Sequence, residues 1–203
     1  MDNNYYYIIA SLPDLILNFE NSEFSYDKIV DDLKNQLCEK DRQAIKWLEF
    51  AANGENLSVH FYRAAANNNI PFIAKYFEFD RLVRNTTVNV LAQKTKQDPY
   101  LHFRGKYDPD QEGVKEITTA LSEENLYERE KKLDILRWNN ISEIVVFDYF
   151  NINTILAFIA KAKIVSRWST MDKKIGAELF EKLVTEVKGT YQVDNSKFKT
   201  NKK

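Results

Sequence analysis

"PFIAKYFEFDRLVRNTTVNVLAQKTKQDP", residues 71–99, decides the fold class. Pro71 stands where a helix accepts proline, in the first turn, because the N–H it lacks would find no partner there. From Phe72 to Gln97 nothing interrupts the chain, and Ile73, Tyr76, Phe77, Val83, Val90 and Leu91 predict an apolar helix face. Asp98-Pro99 closes the segment, since a residue before proline is driven out of the helical region. At 1.5 Å per residue the helix is about 40 Å long. Its other face carries Arg81, Arg84, Asn85 and Asn89.

The rest of the chain follows the same period. Tyr26, Ile29, Val30, Leu33 and Leu37 form one stripe, and Asp41 is placed to cap a segment running to Asn53-Gly54. A short helix is expected over 57–66. Ser122, followed by Glu123 and Glu124, is expected to start a helix carrying Leu126, Leu133, Leu136, Ile141 and Ile144. Asn151 or Asn153 opens the next, and Asp172 opens a last one ended by Gly189. The stretch 100–113 holds two glycines and a proline and breaks the pattern. The expected division is an N-terminal helical lobe over 1–98, a linker or excursion over 99–121, a C-terminal helical lobe over 122–188 and a disordered polar tail over 189–203. The fold class is all-α, an elongated multi-helix bundle in two lobes.

Composition agrees. The chain has 203 residues, 44% hydrophobic and 29% charged, which suits a globular protein with a sizeable core. Five glycines and four prolines favour few, long elements. A net charge of −1 speaks against a glove for nucleic acid. The opening "YYYIIASLPDLIL", Tyr5–Leu17, is too short for a membrane helix and lacks the basic start of a signal peptide. A lone strand there would leave its backbone unpaired, so a helix ended near Pro13 is expected. These features point to a cytoplasmic protein with no membrane insertion.

Chemistry is sparse. His60 and His102 have no ligand-type residue at metal-binding spacing, and neither phosphate-binding glycine pattern occurs. Cys38, the one cysteine, is expected to be a small apolar residue on a helix. Glu130, Asp134 and Arg137 read as a row of ion pairs, solvated or between lobes. Arg137-Trp138 and Arg167-Trp168 read as core tryptophans with flanking charges, both largely buried. No catalytic residue, metal or cofactor is expected. Arginine offers planar, multidentate contacts suited to interfaces. Arg81, Arg84, Asn85 and Asn89, or an adjoining seam with Arg137, are therefore the expected partner-binding residues, docking a protein partner or else closing the two lobes together.

Three stretches carry a family resemblance: "YYYIIASLPDL", "FDRLVRNTTVNVLAQKTKQDP", and the run from Arg129 to Val184. Within them the motifs are Arg84-Asn85, Leu136-Arg137-Trp138, and Ile164–Trp168 followed by Asp172 and Gly176. Together they resemble an uncharacterised bacterial family encoded in V-type (A/V-type) ATPase operons. The opening tyrosines also look like the first helix of the C/d-type subunit of these rotary ATPases, an all-helical funnel joining the central stalk to the rotor ring. The chain is much shorter than that funnel, with room for about two of its three helical modules. The resemblance implies a fold of the same C/d-like style. It also implies a noncatalytic subunit or accessory, held to the inner membrane through the ATPase. A helical nucleic-acid-binding or protein-interaction module unrelated to the ATPase is the alternative.

Overall fold

The computed structural model describes residues 5–17, 19, 25–169 and 179–186. These are helical throughout their regular structure: α1 Tyr6–Ala10, α2 Tyr26–Gln36, α3 Glu39–Phe50, α4 Val59–Ala66, α5 Pro71–Thr95, α6 Val114–Leu121, α7 Leu126–Ile144 and α8 Ile152–Ser169. A 3-10 turn, Gly54–Asn56, precedes α4, and residues 179–186 are helical. No strand occurs among the described residues. The all-α expectation holds. The expected start at Asp172, the stop at Gly189 and the tail over 189–203 lie outside the described residues.

The axis of the structure is α5, which starts where the sequence places it and ends at Thr95, short of the expected Gln97. Pro71 occupies its first turn, and Lys96 ends it in the left-handed conformation, φ 55°. One first-turn amide, that of Phe72, is met from far along the chain. Asn153, buried at the start of α8, accepts from the Phe72 N–H at 3.4 Å. The single-face reading of α5 needs correction. Leu91 is exposed, whereas Leu82, Asn85 and Thr86 are buried. The reason is that α4, α6, α7 and α8 all pack on α5, so no one stripe describes what it buries.

Two hydrophobic clusters result. The larger is built from α2 to α5, α7 and α8, with Ile45, Phe72, Ile155, Leu156 and Trp168 at its centre. The smaller joins the middle of α5 to α6 and α7 through Leu82, Val83, Val114, Ile117, Leu121 and Leu133. Residues 99–121, read as a linker or excursion, contain α6 and so contribute core. The larger cluster takes residues from both sides of that segment.

Three local signals resolve differently in the fold. Ser122 ends α6 instead of starting a helix, and Asn125 caps α7, accepting from the Tyr127 and Glu128 amides. Asp41 is no cap: it lies buried inside the first turn of α3 and accepts from the Tyr5 hydroxyl. Cys38 sits at the N-cap of α3 and is exposed, its sulfur 3.4 Å from Asp41 Oδ2, so it is not an apolar core residue. The opening stretch forms only the short α1, closed by Ser11, whose hydroxyl donates to the Ile8 carbonyl at 2.7 Å.

A cavity of about 80 Å³ lies where α2, α3, α5 and α8 meet, lined by Tyr26, Tyr76, Asp80 and Lys163 among apolar residues. Burial, with the charges of Glu49 and Asp27 added, pushes the Tyr26 phenol up to about 12. Burial, then the Asp80 charge, pushes Tyr76 up as well. A phenol whose folded pKa is raised binds its proton longer than the unfolded chain does. The stability it contributes is intact below pH about 10 and falls as pH rises from there through about 12. Titration followed by tyrosinate absorbance is expected to show Tyr26 ionising late, or together with unfolding. A Tyr26→Phe variant with an unchanged late phase would contradict this.

Candidate interaction surface

The five residues expected to bind a partner do not form one face. Arg81 donates through Nη1 to the Lys106 carbonyl at 2.5 Å. Asn85 is 0% exposed and accepts from the Arg104 amide at 2.7 Å. Both therefore hold the 100–107 segment against α5, and Asn85 faces the protein's own backbone. Its place in a partner interface is corrected by that burial. Arg84 pairs with Asp80, Nε to Oδ2 2.9 Å, and the Tyr62 hydroxyl donates to the same carboxylate at 2.6 Å. This ties α4 to α5. Burial, reinforced by Asp80, pushes the Tyr62 phenol well above its usual range. Asn89 is partly exposed farther along α5.

Arg137 belongs to a second place, the α7–α8 seam. It donates to Asp134 Oδ1 at 2.8 Å. Asp134, 1% exposed, also accepts from Arg167 and, at 2.7 Å, from the Trp168 indole N–H. Arg167 reaches Glu130 as well, at 3.2 Å. The ion-pair row is thus a half-buried junction between helices centred on the buried Asp134, whose carboxylate is satisfied on both oxygens. Trp168 is 1% exposed, as expected. Trp138 packs against the edge of the larger cluster and is less deeply buried than Trp168, with the Lys161 ammonium 4.8 Å from its ring centroid.

The surface that does face outward lies elsewhere. Tyr6, Tyr7, Val146, Phe147, Tyr149 and Phe150 are all exposed, Tyr7 by 87% and Phe147 by 86%. α1 and the α7–α8 turn are joined here. The Tyr5 amide donates to the Phe150 carbonyl at 2.7 Å, and the Tyr6 and Phe150 rings lie 4.8 Å apart. Tyr7 and Tyr149 extend the row on either side, at 5.5 Å from Tyr6 and 6.4 Å from Phe150.

The turn beneath is fixed by polar contacts. Asp148 accepts from the side-chain amides of Asn151 and Asn153, at 2.5 and 3.1 Å, and the Thr154 hydroxyl donates to its carbonyl at 3.1 Å. Because Asn153 also holds the start of α5, the patch is anchored to the core. Aromatics presented in this way expose large contact area at little cost in conformational entropy on binding. Contiguous exposed apolar surface marks interaction sites, and tyrosine and phenylalanine are enriched there. The three consecutive tyrosines, which resemble the first packing helix of a helical body, do not all pack: only Tyr5 is buried, and Tyr6 and Tyr7 face outward.

Among the described residues, no group of three or more histidine, cysteine or acidic side chains is placed to hold a metal. None of the described helices is long and apolar enough to cross a membrane.

Residues 1–58 and 109–190 match a family described as "Protein of unknown function (DUF2764)". The chain belongs to this family. No curated protein and no solved structure matches it. The DUF2764 match includes every residue of the aromatic patch and also Arg137. Residues 59–108, which carry α4, α5 and the Arg81–Asn89 row, lie between its two matched segments.

Proposed function

We propose that the protein is a noncatalytic subunit or accessory of a bacterial V-type (A/V-type) rotary ATPase. In this reading it is a central-stalk coupler of the C/d type, serving proton or sodium transport coupled to ATP. Its partners are ATPase subunits on the central-stalk and rotor-ring side. It works in the cytoplasm, against the inner membrane. The operon-family resemblance supports the ATPase, and the anchored aromatic patch carries the noncatalytic, partner-binding part. A coupler needs stiff helices and fixed contact residues; α5, 25 residues long, and the Asp148-braced turn supply both.

The test is copurification from native membranes in mild detergent. ATPase subunits are expected with the wild-type chain. They are expected to be lost with Tyr7→Ala/Phe147→Ala, whose melting temperature should stay close to wild type because both side chains are mostly in solvent. Absence of ATPase subunits with the wild-type chain overturns the ATPase assignment. Retention by the double variant removes the patch from the interface.

A further inference from the structure

A second surface lies across α5, α6 and α7, a groove of about 620 Å³ with an apolar floor that includes Phe79, Leu82, Leu136 and Ile144. Its walls carry Glu78, Glu112, Glu116 and Glu143, opposed by Lys75 alone. All four carboxylates are exposed, and none makes an ion pair among the described residues. The chain as a whole is nearly neutral, so this excess of negative charge is local. Asn140, on the α7 wall, has its Oδ1 buried and without a donor among the described residues, an acceptor the fold leaves unmet.

We propose that this groove docks a basic amphipathic helix of a partner protein. The apolar face of that helix lies on the floor, and its lysines or arginines meet the glutamates of the walls. Three observations select this occupant. The carboxylates are not gathered into a metal-binding group. Their sign repels nucleic acid and anionic lipid surfaces. An apolar floor between charged walls, formed by packed helices, is the geometry in which an amphipathic helix is bound. Opposite charge at the walls speeds encounter and fixes orientation, and the floor supplies the burial. The proposal stands independently of the ATPase reading, because no residue of the aromatic patch lines the groove.

The probe is a fluorescein-labelled helical peptide of about five turns, with leucine on one face and lysine on the other, followed by anisotropy with the full chain. Binding is expected, weakening as salt is raised. A Leu/Glu peptide of the same pattern is expected not to bind. Neutralising the walls (Glu78→Gln, Glu112→Gln, Glu116→Gln, Glu143→Gln) should weaken binding about tenfold or more, from four surface charges each worth a small factor. Tyr7→Ala/Phe147→Ala should leave it unchanged. Equal binding to the neutralised variant, or loss of binding on removal of the aromatic patch, overturns the proposal. So does a chain that is dimeric without peptide and becomes monomeric on wall neutralisation, which would make a second copy the occupant.

Discussion

Replacing Asp134 by alanine is expected to destabilise the fold by about 3–5 kcal/mol, the range for breaking a buried charge network. The largest part comes from the Trp168 indole N–H, which loses its acceptor in a region closed to water. Arg137 and Arg167 lose their carboxylate too, but their side chains are 27% and 38% exposed, so solvent repays part of that loss. Asp134→Asn separates the two effects. The amide keeps an oxygen for the indole and removes the charge, so a smaller loss is expected, about 1–2 kcal/mol. Thermal and urea unfolding check both. An Asp134→Ala protein that melts like wild type would mean the α7–α8 junction is not held by this carboxylate.

Trp168→Ala is expected to cost about 3–5 kcal/mol, the range for truncating a large aromatic in a core. Trp168 packs edge-on against Phe19 and Tyr127, with ring centroids at 4.8 and 5.2 Å, so its loss opens a cavity and removes both contacts. The same change at Trp138 should cost clearly less, about 1–2 kcal/mol, because that ring is only partly buried and is covered by Lys161. Equal losses at the two sites would contradict the burial described here. Because Trp168 and Asp134 are bonded, the double variant should lose less than the sum of the singles.

Several features were legible in the residues themselves. The start of α5 follows from Pro71, a local backbone effect, whereas its end, read at Gln97 before Asp98-Pro99, comes earlier, where Lys96 turns left-handed after Thr95. Local pattern did not distinguish Ser122 from Asn125 as the cap of α7, because either side chain can accept from a first-turn amide. Nor did spacing show that Asp134 is buried. A carboxylate three residues before an arginine looks like a solvated pair until Arg167 and Trp168 arrive from another helix. Asn85 is a similar case: on an exposed face it would be idle or partner-binding, and only the return of residues 100–107 covers it.

The aromatic patch shows the same limit from the opposite side. Its two halves, Tyr6 and Phe150, are brought together by α1 docking on the α7–α8 turn, and no period in either segment announces the meeting. By itself, the sequence determined that the described chain is helical, where α5 begins, and that Trp168 is core. Helical period, proline and local backbone sterics act within a few residues, which is why these could be read directly. Tertiary structure alone decided which polar residues are buried, which arginines hold the protein's own elements, and which aromatics are left outside. Those outcomes depend on burial and hydrogen bonding between segments far apart in the chain, and no local pattern encodes them.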